Sequence, residues 1–438
     1  MLKHLRSKIK TTKKIIDSLG FTRDRKTSGS DSFKQLNFHQ SAELLEKILL
    51  QNIIPFWYPE VIDLAEGGYK LNHDLQGKWK GQTNKSLVSQ TRTLWFFAQI
   101  INSKYGTREH LEAAQHGYKF LREKMWDSQF GGFYWEVNSS GDTVTKPDKH
   151  CYGQAFALYA LSQYSMASQD SSALMLAQEL FGLLENYAYD AQHGGYREVL
   201  RQNWTSVPSG TISYLGVDPN LKLMNTHLHL LEAMSTYYLL TKDKIARERI
   251  VELILILSNS VVQKTVGACT DRFHRNWQPL AVDEHNLISY GHDLEAIWLL
   301  IESCNGLGIS NNILLYFYQT LFNYSLQYGF DHKKGGFYNS GYCNKPAHKL
   351  EKIWWVQAET LVSALQMYNL TQEEVYYSYF CRILDWIIKY QIDWNNGDWF
   401  AEVDRKGNPL GDKAEQWKSA YHNGRAMLKC LEILEQSL

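Results

Sequence analysis

The sequence contains little proline, little cysteine and no excess charge of either sign. Only 8 of its 438 residues are proline, below an average usage of about 5%, so long stretches are free to form helices. The 46 basic residues are balanced by 46 acidic ones. This balance excludes a nucleic-acid partner held by bulk electrostatics and a polybasic membrane anchor. Hydrophobic residues make up 44% of the chain, a fraction that excludes general disorder.

Paired cysteines and long apolar runs are also missing. The six cysteines are scattered without close pairs, which is typical of buried thiols rather than of a disulfide framework or a zinc site. The basic amino-terminal stretch has no uninterrupted apolar run, so we do not interpret it as a secretory signal. The strongest apolar run, Ile250 to Leu257, contains Glu252 and is too short to cross a bilayer. We therefore expect a reduced, cytoplasmic protein.

What the sequence does contain is a short motif of glycine and aromatic residues that recurs about every 65 residues. Apolar runs of helical period precede and follow the copies. Leu111 to Trp126 and Cys151 to Tyr164, for example, flank the second copy. A fixed period of this length marks a repeat architecture. The first glycines of the copies are Gly67, Gly131, Gly194, Gly267 (the weakest copy), Gly335 and Gly397.

Six helix pairs can stack as an open solenoid or close into a ring. The helix after each motif is apolar nearly all round, as expected for a helix packed on both sides. Its first turn, in contrast, carries polar and aromatic residues. We therefore predict an all-α fold with one (α/α)6 barrel over residues 39–438 and short β-hairpin-like glycine-aromatic loops. Residues 1–38 are predicted to be a basic extension or leading helix.

If these helices form an inner ring, their first turns converge on one site. Asn225 and His229 share a helix face, as do His292 and Glu295, whereas His227 points away from His229. A lone histidine at a helix start is usually a cap or a satisfied polar group. Several of them converging with arginine, glutamate and tryptophan are hard to explain by core packing. The candidate site residues are Arg92, Tyr152, Asn225, His229, His292, Glu295, Trp354, Trp355, Trp417 and His422.

The candidate site residues also limit the chemistry that the site can perform. Three histidines could bind zinc, but HExxH is missing, and His227 and His229 cannot both face inward, so we expect no metal. A glycosidase needs two carboxylates, and only Glu295 stands clearly among the helix starts. Histidines without a serine or cysteine nucleophile indicate proton transfer, because imidazole titrates near neutral pH. Two of them on opposite sides of a carbon could take a proton from one face and return it to the other, while an arginine stabilises an enediolate.

Five segments together carry a family resemblance: HCYGQAFALYALSQY, NTHLHLLEAM, SYGHDLEAIWLL, KIWWVQAE and WKSAYHNGRAML. They lie in five of the six repeats, and NTHLH, YGHDLEA and YHNGRA are specific in combination. On these motifs the sequence resembles the N-acylglucosamine 2-epimerase superfamily, and in particular its cellobiose 2-epimerase and mannose 2-epimerase branch. The resemblance implies an (α/α)6 barrel and epimerisation at C2 of a reducing-end aldose without a cofactor.

The resemblance also implies roles for individual side chains. His292 and His422 would be the acid/base pair, and His422 would help to open the sugar ring. Arg92 and His229 would hold the oxygens of a cis-enediolate. Which histidine serves which face of C2 stays open, as does the choice between the two adjacent tryptophans. The residues implied to bind the sugar are Tyr152, Asn225, Glu295, Trp354 or Trp355, and Trp417.

The substrate depends on one stretch, QPLAVDEHNLISYGHD, which is longer than expected for a cellobiose epimerase. A loop over the pocket mouth would exclude a second sugar, which favours D-mannose and D-glucose. The alternatives are a cellobiose 2-epimerase acting on β-1,4-linked disaccharides, an aldose–ketose isomerase that forms fructose from mannose, a glycosidase, and a non-catalytic sugar-binding barrel. The expected partner is a small sugar, with no nucleic acid and no membrane, and the chain would be a monomer or a homodimer.

Overall fold

Helices dominate the chain and form two layers. The computed structural model describes residues 35–208, 210–280 and 286–437, and Leu36–Leu438 form one compact unit. The predicted extension at residues 1–38 lies outside the described residues except for its last four. Of these, Asn37 caps the first helix by accepting a hydrogen bond from the backbone N–H of Gln40, and Phe38 begins that helix.

The outer layer consists of alternate helices, most of which end in a wider π-type turn. Thr107, Asp170 and Asp243 cap three of them with side-chain oxygens. The outer helices are α1 (Phe38–Ile48, continued by Leu49–Ile53 and Ile54–Trp57), α3 (Arg108–Phe120, continued by Leu121–Met125), α5 (Ser171–Leu183, continued by Leu184–Ala188), α7 (Lys244–Leu255, continued by Ile256–Ser260), α9 (Leu315–Gly329, preceded by the 3₁₀ turn Asn311–Ile313) and α11 (Glu374–Trp386, continued by Ile387–Gln391).

The inner layer is a closed ring. Its helices are α2 (Leu87–Ile101), α4 (Cys151–Ser168), α6 (Met224–Thr241), α8 (Tyr290–Leu307), α10 (Trp354–Thr371) and α12 (Tyr421–Ser437). Each packs against the next, and α12 packs against both α2 and α1, so the two ends of the barrel meet. The predicted (α/α)6 barrel is therefore confirmed. None of the helices in the described ranges is long and apolar enough to cross a membrane.

Short antiparallel strands lie between each outer helix and the next inner helix. They are β1 (Lys85–Ser86), β2 (Glu136–Val137), β3 (Val144–Lys146), β4 (Lys149–His150), β5 (Val199–Leu200), β6 (Lys222–Leu223), β7 (Val262–Gln263), β8 (Ala268–Cys269), β9 (Arg272–Phe273), β10 (Leu287–Ser289), β11 (Ser340–Tyr342), β12 (Ala347–Lys349), β13 (Lys352–Ile353), β14 (Glu402–Val403) and β15 (Pro409–Leu410). The sheet orders are β1-β2-β3, β4-β5, β6-β9, β7-β8, β10-β11-β12 and β13-β14-β15. Because β1, β4, β6, β10 and β13 run directly into inner helices, pairing fixes where those helices start.

The glycine-aromatic motif forms a tight turn that is held by the following inner helix. Gly131 and Gly132 have φ values of 70° and 71°, a region that favours glycine. A Cβ on Gly132 would lie 2.5 Å from Cζ2 of Trp204. The side-chain amide of Gln154 accepts a hydrogen bond from the Phe133 N–H at 2.9 Å and donates one to its carbonyl at 2.8 Å. The motif thereby ties a turn to the inner ring.

A buried ion pair ties the same turn to the strand that leads into the inner helix. Lys149 Nζ lies 2.9 Å from Oδ2 of Asp127, and both side chains are fully buried. Three further pairs occupy the equivalent positions: Lys85–Asp63, Lys222–Asp190 and Lys352–Asp331. In the last repeat the pair is Lys413–Asp393, and its lysine lies outside the strands. Since an unpaired buried charge is costly, each pair favours one position of the turn relative to the strand.

Candidate active site

The candidate site lies where the inner helices begin, and each helix contributes one side chain from the same repeat position. Along each inner helix, this side chain comes two residues after the one that bonds to the glycine turn, and the six side chains form one layer. The arginine guanidinium of Arg92 lies 4.3 Å from the ring of Phe156, whose ring lies 4.6 Å from that of His229. The layer consists of Arg92, Phe156, His229, Glu295, Glu359 and Arg425, and all six are buried.

His422, at the start of α12, is held by a carboxylate that sequence reasoning missed. Its Nδ1 lies 2.6 Å from Oε1 of Glu359, and the indole N–H of Trp298 donates to the other oxygen of that carboxylate at 2.9 Å. A carboxylate bonded to Nδ1 fixes the ring orientation and leaves Nε2 for chemistry. His422 therefore has the environment of a positioned acid or base.

Trp355 contacts both predicted acid/base histidines. Its ring centroid lies 4.7 Å from that of His292 and 5.8 Å from that of His422. It is half-buried, whereas the neighbouring Trp354 is only 8% exposed and lies 6.3 Å from His422, ring to ring. Trp355 is therefore the tryptophan of the pair that borders both histidines.

Arg92, Tyr152 and Trp417 form the wall next to this pair. Arg92 donates to the hydroxyl of Tyr152 at 2.9 Å and to the carbonyl of Trp417 at 3.0 Å. The rings of Tyr152 and Trp417 lie 6.3 Å apart, and the edge of Tyr152 meets the ring of His229 at 5.2 Å. The backbone N–H of Asn225 donates to Asp271, while its side-chain oxygen is buried without a partner among the described residues. That oxygen can accept a hydrogen bond from a hydroxyl group of a ligand.

Arg425 forms the floor of the site with three carboxylates. Its guanidinium donates to Glu295 at 2.7 Å and to Glu359 at 2.8 Å, and it also bonds to Glu232. Glu232 in turn accepts from the hydroxyl of Tyr421 at 2.6 Å and lies 3.2 Å from Nδ1 of His229. One continuous network therefore joins His229, through Glu232 and Arg425, to Glu359, which bonds to His422.

Burial governs the protonation of this cluster. It lowers the pKa of His229 to about 4, against the raising effect of Glu232. Burial likewise lowers the pKa of His292, and, together with the charges of Arg92 and Arg425, lowers that of His422 well below its usual value. The three imidazoles are therefore neutral at neutral pH in the free protein.

Glu295 has the opposite perturbation. Burial, followed by the negative charge of Glu359, raises its pKa well above the ordinary value, although Arg425 opposes the shift. Its second oxygen is buried and has no hydrogen-bond partner in the described part of the chain. A carboxyl group kept neutral at pH 7 can donate a hydrogen bond as well as accept one.

The structure brings all ten predicted residues into one connected set, but one sequence-based inference needs correction. Glu295 is not the only carboxylate at the helix starts, because Glu359 occupies the equivalent position of α10, and Glu232 joins the same network from deeper in α6. The three histidines occupy two repeat positions: His292 and His422 are equivalent, whereas His229 matches Glu295. Aligning the repeats on YGHDLEA and WWVQAE could have found Glu359; Glu232 had no such signal.

Glu295, Glu359 and His422 bring ligand-type atoms within 4.8 Å of one another, as a metal site would. However, Arg425 donates to both carboxylates. Its guanidinium thus supplies the positive charge that the carboxylates need, and Nδ1 of His422 is taken by Glu359. The donor set is engaged with groups of the chain itself and does not fit a metal.

Comparisons with known proteins agree with this geometry. The family model described as N-acylglucosamine 2-epimerase matches residues 67–426. A cellobiose 2-epimerase of Dictyoglomus turgidum is 30% identical over 94% of this chain and 100% of its own length. A D-mannose isomerase of Marinomonas mediterranea is 26% identical over 88% of this chain and 95% of its own.

The solved structures include a cellobiose 2-epimerase from Spirochaeta thermophila with a TM-score of 0.82 and 33% identity. The match covers 91% of this chain and 98% of that one. Family model, relatives and structure agree over nearly the whole barrel. The chain therefore belongs to the N-acylglucosamine 2-epimerase family and is a carbohydrate epimerase or isomerase.

Proposed function

We propose that this protein interconverts D-mannose and D-glucose by moving a proton at C2 of the open-chain sugar, without a cofactor. The observation that carries the proposal is the arrangement of His292 and His422 around the ring of Trp355. Both histidines have lowered pKa values and are neutral bases in the free protein. Two neutral imidazoles that border one aromatic surface suit removal and return of a proton.

The reaction follows from the groups at the site. His422 assists ring opening, and one of the two histidines takes the C2 proton. The electron pair of the C–H bond forms the C1–C2 double bond, and the carbonyl electrons move to O1, giving a cis-enediolate. Rotation about C2–C3 presents the other face. The second histidine takes up a proton from water and gives it to C2 as the C1 carbonyl re-forms, and the first histidine releases its proton to water.

The negative charge of the enediolate needs fixed donors. The guanidinium of Arg92, which donates to the Tyr152 hydroxyl at 2.9 Å, can hold an enediolate oxygen. His229 can do so when its Nε2 is protonated, because its Nδ1 faces the carboxylate of Glu232 at 3.2 Å. The unpaired oxygens of Asn225 and Glu295 can bind sugar hydroxyls. A cavity of about 220 Å³ adjoins His292 and is also lined by Asp271 and Arg272; Trp355 and His422 are not part of its lining.

Cellobiose 2-epimerisation is the second candidate. Relatives named cellobiose 2-epimerase are 30% identical to this chain, whereas a D-mannose isomerase is 26% identical. The loop predicted to exclude a second sugar includes residues 281–285, which lie outside the described residues. Its occluding role therefore stays a prediction.

Proton exchange and product identity can be measured in one tube. EDTA-treated protein is incubated with D-mannose, or separately with cellobiose, in D2O and followed by NMR. We expect glucose deuterated at C2 from mannose. Glucosyl-mannose formed from cellobiose would support the second candidate, and fructose as the main product would overturn epimerisation in favour of isomerisation.

Variants connect the activity to the two histidines. His292→Asn and His422→Asn should each lower turnover by about 10²- to 10⁴-fold, since general acid–base catalysis contributes that much. His348→Asn is the matched control because His348 is exposed on β12 and its ring contacts Tyr342 rather than a residue of the candidate site. Full activity of both site variants would contradict the proposed roles.

A further inference from the structure

A second cavity lies at the opposite end of the barrel from the helix starts. It has a volume of about 180 Å³ and is lined by the later turns of α2, α4, α6, α8 and α12. It reaches the surface where Leu239 is 49% exposed and where the side chain of Glu302 is 36% exposed. We call this space the basal cavity. No step of the proposed reaction uses it.

The inner end of the basal cavity is the underside of the active-site floor. Arg425 and Glu232 line it, and the same two side chains belong to the network beneath the sugar pocket. Two lining donors have no hydrogen-bond partner among the described residues: Nε of Arg425 and Nε1 of Trp95. Both side chains are only 3% exposed. Buried donors without partners are rare in folded proteins and indicate an acceptor that completes the site.

The lining indicates the chemistry of that acceptor. Trp95, Tyr159 and Trp298 supply aromatic rings, and Gln99 and Gln163 supply amides. Rings combined with amide groups suit C–H and hydroxyl groups of polyols.

The two cations at the cavity are already paired within the protein, and carboxylates outnumber them. Lys429 lies 3.0 Å from Glu302 and 2.8 Å from Glu432, and Arg425 is paired with three carboxylates. An anionic ligand would therefore meet excess negative charge, and a cationic ligand offers no acceptor to the unpartnered donors of Trp95 and Arg425. A neutral ligand with hydroxyl oxygens meets both conditions.

We propose that the basal cavity is a second small-molecule site that binds a neutral polyol of four to six carbons. The volume corresponds to about six waters at about 30 Å³ each, which matches this size. The hydroxyl oxygens would accept hydrogen bonds from Trp95 and Arg425, while the carbon chain lies against the rings. This inference does not depend on the substrate of the active site.

Isothermal titration of the full chain with D-glucitol tests the proposal, because D-glucitol has no carbonyl group and cannot be epimerised. Ser303→Met fills the cavity, since Ser303 is buried in its wall and bonds only to Ser235 and to a backbone carbonyl. Ser168→Met, at the same end of the inner ring but outside the lining, is the matched control. Gly306→Leu is a second filling variant: a Cβ there meets only Leu239, at 3.7 Å.

We expect saturable binding by the unaltered chain and by Ser168→Met. Each filling variant should lose one bound D-glucitol per chain, or bind at least tenfold more weakly, while its melting temperature shows that it is folded. Equal stoichiometry and affinity in all four proteins would overturn the proposal, as would the absence of saturable binding to the unaltered chain. If a filling variant does not fold, the other decides the outcome. Failure of either arm leaves the mannose reaction in D2O unaffected, so the two proposals fail separately.

Discussion

At the scale of single residues, equivalent positions of the repeats carry side chains of different chemistry. The turn-holding position is Gln154 in one repeat, His227 in another and Asp293 in a third, and each accepts a backbone hydrogen bond from its turn. Two residues later the side chain faces the centre of the ring, and there the repeats differ most. The turn-holding position supports the geometry of the barrel, whereas the inward-facing position serves the reaction.

Glu359 is the inward residue whose role is most directly testable. We predict that Glu359→Gln lowers kcat by about tenfold or more, because the charge that orients and stabilises protonated His422 is lost. Removing that carboxylate charge also makes the imidazole harder to protonate. The acid limb of the kcat profile should therefore move to lower pH. Because the pKa of His422 already lies well below its usual value, the rate is measured from pH 8 down to the acid limit at which the protein stays folded.

The control for this variant is Glu302→Gln, on the wall of the basal cavity. Glu302 pairs with Lys429 at 3.0 Å and belongs to no contact of the sugar pocket. A pH profile of Glu359→Gln that coincides with the unaltered one, at any level of kcat, would contradict a positioning role for Glu359.

At the scale of elements, lysine–aspartate pairs hold the glycine turn against a strand in four of the repeats. We predict that Lys149→Met lowers the free energy of unfolding by about 3 kcal/mol, since removing one partner of a buried pair leaves an uncompensated charge. Asp127 keeps bonds from Gln202 and two backbone N–H groups, which places the cost at the lower end of the usual range. Urea denaturation measures it.

An exposed pair provides the comparison for that variant. Arg108 and Glu112 lie 2.9 Å apart on α3 with side chains 87% and 57% exposed. Arg108→Met should change the free energy of unfolding by about 0.5 kcal/mol or less. Similar effects of the two substitutions would contradict the structural role given to the buried pair.

The helices and turns could be predicted from sequence wherever hydrophobic periodicity or the repeated motif indicated them. The spacing of the glycine-aromatic motif predicted six helix pairs, and inner helices that are apolar nearly all round predicted their closure into a ring. The inner helix starts converge as expected. Glu232 was missed because it lies in the third turn of α6, deeper than a search of first turns reaches. The lysine–aspartate pairs were missed because they join residues 20 to 32 positions apart, and neither helical nor strand periodicity relates them.

At the scale of the whole molecule, the barrel buries many titratable groups, and this makes its stability depend on pH in both directions. Burial raises the pKa of Glu198 and of Asp293 to about 8. Their folded-state pKa values exceed the unfolded ones, so their contribution is fully present below the unfolded pKa values and is lost progressively as pH rises to about 8, above which it no longer changes. We predict a melting temperature that falls as pH rises from about 6.5 to about 8, which differential scanning calorimetry can measure.

The acid side is governed by buried histidines, and His227 allows one of them to be isolated. Its Nδ1 donates to the Leu223 carbonyl and its Nε2 accepts from the Tyr196 N–H, so protonation would break the second bond. Burial lowers its pKa from 6.5 to about 3. Because the unfolded chain binds the proton first, stability is lost as pH falls below about 6.5.

His227→Gln should remove this acid sensitivity, since Gln90, Gln154 and Gln357 fill the same position in other repeats. Glutamine can accept from the Tyr196 N–H and does not titrate. Between pH 7 and pH 5, the unaltered chain should lose about 2 kcal/mol more of its free energy of unfolding than the variant loses. Urea denaturation of both proteins at both pH values measures this difference. Turnover should be retained because His227 holds a turn rather than the sugar. Equal pH dependence of the two proteins would mean that His227 does not govern acid stability, and loss of turnover with an intact fold would assign it to the active site.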